Sequence, residues 1–125
     1  MSLKTVFILI TISAGFFALA ALLIPTTMLS WYGPTSSDTL VMMSRFFGVA
    51  LLAHALIAFF LRDTKLNNEV TSVVLALLIS DVVGLIVALW AQLTNIVNNL
   101  GWLNVIIYGF FTIALYMVYK KKKTD

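Results

Sequence analysis

The chain has 125 residues, 62% of them hydrophobic and only 10% charged, with mean hydropathy +1.05 and a formal charge of +3. That length holds one domain, 1–125, and leaves no room for a soluble catalytic domain beside the apolar segments. With no cysteine, disulfides, thiolate nucleophiles and Cys-ligated metals are excluded.

Four apolar runs follow one another, at about 5–25, 40–61, 70–93 and 100–119. Each is close to the roughly 20 residues a helix needs to cross a hydrocarbon core of about 30 Å. The expected fold is all-α, an integral membrane four-helix bundle. Seven of the eight basic residues, Lys4, Arg62, Lys65 and Lys120 to Lys123, fall at the start, in the middle loop or at the end. The loops after the first and third runs carry none. This alternation predicts both termini in the cytoplasm, N-in/C-in. The Lys120–Lys123 run directly follows an apolar helix, so the positive charge is read as a topology anchor facing anionic headgroups and not as a nucleic-acid surface.

Run one begins at Lys4 and passes through Ala18-Leu19-Ala20-Ala21, which has the look of a signal-peptide cleavage site. The apolar stretch continues to Ile24, long enough to span, so an uncleaved first helix is expected. Pro25 ends it. Thr11, Ala14, Ala18, Ala21 and Pro25 share one face at helical spacing, where small residues admit a neighbouring helix. Residues 26–39 form the first outer loop, with Thr26–Tyr32 as a short helical turn at the interface. Trp31 and Tyr32 suit the headgroup region. Gly33-Pro34 marks a turn, and Thr35, Ser36, Ser37 and Asp38 are N-cap candidates for the second long helix.

Run two carries Ser44, Arg45, Gly48 and His54, and closes at Arg62-Asp63. The polar 62–69 loop leads into run three, with Asp81, Gly84 and Gln92. Asn98, Asn99 and Gly101 make a short outer turn before run four, which presents Asn104, Tyr108, Thr112 and Tyr119 on one side. No internal repeat is evident, so an inverted-repeat transporter within one chain is not supported.

Ionisable groups inside a span cost at least about 2.5–3.5 kcal/mol for Arg or Asp, and they face protein or water. Three are present: Arg45, His54 and Asp81. At 1.5 Å per residue, Asp81 lies about 16 Å and His54 about 12 Å from the cytoplasmic ends of their runs, with Arg45 about 25 Å away. Depth therefore favours His54 as the neighbour of Asp81. Helical face favours Arg45, grouped with Ser44, Gly48, Leu52 and Ala55 on a small-residue side expected to point inward. Arg45 is the expected ion-pair partner of Asp81, and His54 lies about 180° away from Arg45 around the helix. The candidate polar core is Arg45, Asp81, His54, Gln92, Asn104 and Tyr108. No metal-ligand set, catalytic triad, phosphate loop or dinucleotide fingerprint appears, so no cofactor is expected.

The motifs Pro25…Trp31-Tyr32-Gly33, Arg45-Phe46-Phe47-Gly48, Asp81-Val82-Val83-Gly84 and Leu100-Gly101-Trp102-Leu103-Asn104 extend over most of the chain. On these the sequence resembles a diffuse group of small uncharacterised bacterial four-span inner-membrane proteins. The resemblance implies the four-helix fold and a bacterial inner-membrane location, and carries no activity. The size matches small multidrug transporters and fluoride channels, but the acidic residue of the first span and the polar first-span pattern, respectively, are missing. The expected role is non-enzymatic: an accessory subunit or a lipid- or apolar-ligand-binding bundle, partnered by the lipid bilayer and forming a homo-oligomer or part of a larger membrane complex. The alternative is a small proton-coupled transporter or channel with Asp81 as the titrating group.

Overall fold

The computed structural model describes residues 1–33 and 37–124. Among them are five helices and no strand: α1 (Leu3–Leu23), α2 (Pro25–Tyr32), α3 (Asp38–Leu61), α4 (Asn68–Leu93) and α5 (Gly101–Thr124). All but α2 are long and apolar enough to cross a membrane. They match the four expected runs within a few residues, except that α5 continues through the terminal lysines.

Local chemistry sets the breaks. Proline lacks an N–H and its ring disfavours helical backbone in the residue before it. Ile24 accordingly leaves the helical region, with φ −133° and ψ 54°, and Pro25 becomes the first residue of a new helix. Ile24 N–H still donates to Ala20 O and Met28 N–H to Ile24 O, both at 2.9 Å, so the bend strands neither group. The short turn expected over 26–32 is thus an eight-residue helix. Ser37 caps α3, its Oγ accepting from Leu40 N–H at 3.1 Å. The turn partner Pro34 and the cap candidates Thr35 and Ser36 lie outside the described residues. Asn67 caps α4, its Oδ1 accepting from Val70 N–H at 2.9 Å. Beyond α4, Asn95 takes φ 57°, a left-handed conformation that asparagine tolerates better than most residues. Asn98 Oδ1 then accepts from Leu100 N–H at 3.0 Å and leads the chain into α5.

The chain divides into two compact units. In the unit Phe7–Phe60, α1 and α3 pack through small residues. Ala14, Ala18 and Ala21 are buried on α1, Pro25 at the start of α2, and Ser44, Gly48, Ala55 and Ala58 on α3. A Cβ on Gly48 would sit 3.2 Å from the Ala18 carbonyl oxygen, so the two backbones approach closely there. Thr11 Oγ1 donates to Phe7 O at 2.8 Å and lies 3.3 Å from Ala55 O. At the α1–α2 elbow Trp31 stacks on Phe16, with centroids 6.3 Å apart.

The other unit joins Met1–Val6 to residues 61–125. Here α4 and α5 form an antiparallel pair across the short 94–100 connection. Val74, Leu77 and Leu78 of α4, and Phe111, Ala114, Leu115 and Val118 of α5, are buried. At one end Lys4 Nζ meets Asp63 Oδ1 at 2.7 Å, Arg62 Nε lies 3.5 Å from Asp63 Oδ2, and Lys121 Nζ donates to Met1 O at 3.0 Å.

Large apolar side chains cover the outward surfaces of all four long helices. Ile12, Phe46, Phe60, Trp90, Ile106 and Ile113 each expose more than 60% of their area. Soluble monomers rarely carry apolar patches this extensive, whereas lipid accommodates them.

Candidate functional site

Asp81 anchors the most polar part of the interior. It is 4% exposed, and one carboxylate oxygen, Oδ2, has no hydrogen-bond partner. It belongs to a stripe of α4 that runs from Leu77 through Asp81 and Gly84 to Gln92. That stripe meets α5. A Cβ on Gly84 would collide with the Tyr108 ring, lying 2.6 Å from Cδ1 and 2.8 Å from Cζ, so only glycine lets the ring lie against α4. One residue further along, a Cβ on Gly109 would be in ordinary contact with Leu85 Cδ1 at 3.9 Å. Near the connection Gln92 presses on Gly101, where a Cβ would overlap Gln92 Oε1. Gln92 Nε2 donates to Asn98 O at 3.3 Å. Its Oε1 is buried and without a partner.

The α4 and α5 polar stripes therefore face one another. Asp81 and Gln92 are buried; Asn104 and Tyr108 are half-buried on the opposing helix. Gln92 belongs to the α4–α5 connection, which it braces through Asn98. Thr112, expected on the same side of run four as Asn104 and Tyr108 though not counted in the candidate core, belongs to the seam: its Oγ1 is buried and has no hydrogen-bond partner. Its place four residues after Tyr108, on the same stripe, was the available signal.

Arg45 is exposed. The reason is angular. Ser44, Gly48, Ala55 and Ala58 cluster within about 40° of one line along α3, and Arg45 is about 100° from Ser44. Of the face expected to hold Arg45, Ser44, Gly48, Leu52 and Ala55, the small residues Ser44, Gly48 and Ala55 are buried and Leu52 is half-buried. The small residues do pack, and the long cationic side chain is on their flank. His54 is on the opposite flank and is half-buried.

Among the described residues, no three His, Asp or Glu side chains gather where they would hold a metal ion. The seam offers one carboxylate, one amide, hydroxyls and aromatic faces. Such groups can accept and donate hydrogen bonds, or hold a proton, inside an apolar surround. Neither a family model, nor a curated protein, nor a solved structure matches this chain.

Proposed function

We propose that this is a multi-pass protein of the bacterial inner membrane that acts by binding and not by catalysis. Its role would be that of an accessory subunit of a larger membrane assembly, or of a bundle that holds lipid or another apolar ligand. One observation carries this reading. In the most apolar stretches of α3 and α4 only 17% is buried by the rest of the chain. Two spanning helices thus leave most of their surface, including Phe46, Phe60, Ile86 and Trp90, for lipid or for helices of a second chain. Association between spans relies on van der Waals packing and interhelical hydrogen bonds, and close-packing small residues serve it well. The gathering of Lys4, Arg62 and Lys121 at one end of their unit supports an N-in/C-in arrangement with that end on the cytoplasmic side.

The test is native mass spectrometry of the chain extracted into nanodiscs directly from the membrane. A defined multimer, a co-purifying subunit or tightly retained lipid is the expected result. A bare monomer that sheds all lipid would refute it. A second reading, a small proton-coupled transporter or channel, is favoured by the burial of Asp81 in the middle of a span with an unpartnered oxygen. Proteoliposome flux driven by a pH gradient, and lost in Asp81→Asn with the fold intact, would replace the first reading with this one.

A further inference from the structure

Two buried oxygens without hydrogen-bond partners belong to facing helices of the same unit: Asp81 Oδ2 on α4 and Thr112 Oγ1 on α5. The register of the pair settles their relative height. In an antiparallel pair, residues at equal height have numbers with a nearly constant total. Gly84 against Tyr108, Leu85 against Gly109 and Gln92 against Gly101 all total about 193. Asp81 and Thr112 give the same total. Each is on the stripe that carries those contacts, one turn beyond the place where the Tyr108 ring fills the space over Gly84.

The state of Thr112 is a second, separate observation. A threonine or serine within a helix commonly returns its hydroxyl to the carbonyl four residues earlier. Thr11, Thr71, Ser72 and Thr94 do so in this chain, with donor–acceptor distances from 2.6 to 3.0 Å. Thr112 Oγ1 makes no such bond. It bonds to no other group either.

We propose that Asp81 and Thr112 form a membrane-embedded proton-holding couple, in which side-chain rotation brings the Asp81 carboxyl, protonated on Oδ2, to donate a hydrogen bond to Thr112 Oγ1. A carboxylic acid can donate where a carboxylate can only accept, and a hydroxyl can do both at once. After that rotation the Thr112 hydroxyl, keeping its own hydrogen, donates a hydrogen bond to the Tyr108 carbonyl oxygen, four residues earlier. Both orphan oxygens are satisfied, and no charge is left in the apolar interior. The ligand class follows from the donor count. Calcium and magnesium take six or more oxygens. α4 is continuous from Asn68 to Leu93 and α5 from Gly101 to Thr124, so neither helix breaks to supply backbone carbonyls at this level. Two oxygens suffice for a proton. Thr112 is a positioning residue in this couple. The proposal rests on the membrane placement of α4 and α5 and not on transport.

Infrared spectroscopy of the full chain in nanodiscs at neutral pH tests it. Carboxyl-labelled aspartate (¹³C) identifies aspartate bands, and Asp81→Asn identifies the one that belongs to Asp81. The expected result is a protonated-carboxyl C=O band that disappears in Asp81→Asn. It should move to higher frequency in Thr112→Val, which is nearly isosteric but cannot accept the bond, and stay in place in Thr112→Ser. If Thr112→Val does not fold, Thr112→Ala read against Thr112→Ser gives the same comparison. A purely carboxylate signal from Asp81, or a band that ignores loss of the hydroxyl, would overturn the couple. Proteoliposome flux is scored separately. The band without flux keeps the couple and removes the transporter reading; flux without the band does the reverse.

Discussion

Gly48 and Gly15 provide a matched pair for testing how closely α1 and α3 pack. Both are helical, on opposite members of the same helix pair. A Cβ added at Gly48 would lie 2.9 Å from Ala21 Cβ, 3.0 Å from Leu22 Cγ and 3.2 Å from the Ala18 carbonyl oxygen. Two of these atoms are a backbone oxygen and a Cβ, neither of which can swing aside. A Cβ at Gly15 would meet only Ala55 Cβ at 4.0 Å, an ordinary contact. Replacing glycine by alanine favours a helix by about 1 kcal/mol at either position. Forcing an extra methyl into a packed interior costs about 1–3 kcal/mol. The propensity gain is common to both variants and cancels in their difference. Gly48→Ala should therefore be less stable than Gly15→Ala by about 1–3 kcal/mol, with Gly15→Ala at or above wild type. Equilibrium unfolding in mixed micelles, followed by tryptophan fluorescence, measures this. Ala21→Gly in the Gly48→Ala background should restore part of the loss, because it removes the nearest obstructing atom. Equal stability of the two alanine variants, or no response to Ala21→Gly, would refute the close approach.

Three further outcomes follow from local chemistry. Asn67→Ala should destabilise by about 1 kcal/mol through loss of the α4 cap, while Asn67→Ser keeps most of it; hydrogen exchange at the Val70 amide, bonded to Asn67 Oδ1, reports the change directly. The Lys4 ammonium, through its hydrogen bond and then its charge, with the Arg62 charge added, holds the Asp63 carboxyl below its ordinary value. This contribution to stability should be full above the ordinary carboxylate range and lost as pH falls through the depressed folded value; Asp63 is exposed, so high salt should flatten the profile, and Asp63→Asn should abolish it in pH-dependent unfolding. Cysteines placed at the exposed Asn99 and Lys65 report orientation in intact cells: impermeant reagent should label the first and spare the second, and labelling at Lys65 would reverse the orientation.

Helicity, the four long segments and their breaks were legible in the sequence. The length of an apolar run and the presence of a proline are properties of one dimension. Pro25 had to end one helix and could begin another, and Ser37 could serve as a cap wherever the rest of the chain went. Asn67 was equally legible as a cap, standing immediately before an apolar run, but was read only as part of a polar loop. The direction of side chains was a different matter. A helix that is apolar all round carries little amphipathic signal to say which side packs. Arg45 was grouped with Ser44, Gly48, Leu52 and Ala55 on one small-residue side; the packed line runs through Ser44, Gly48, Ala55 and Ala58, and Arg45 is about 100° from Ser44 on it. Only the backbone approach at Ala18 and Ala21 selected that line. The same holds for the polar seam. Asp81 and Thr112 are 31 positions apart in the chain, and nothing in their spacing pairs them. They became level because the Tyr108 ring lies against Gly84 and Gln92 lies against Gly101. Register between two helices is decided where large side chains fit over residues that have none.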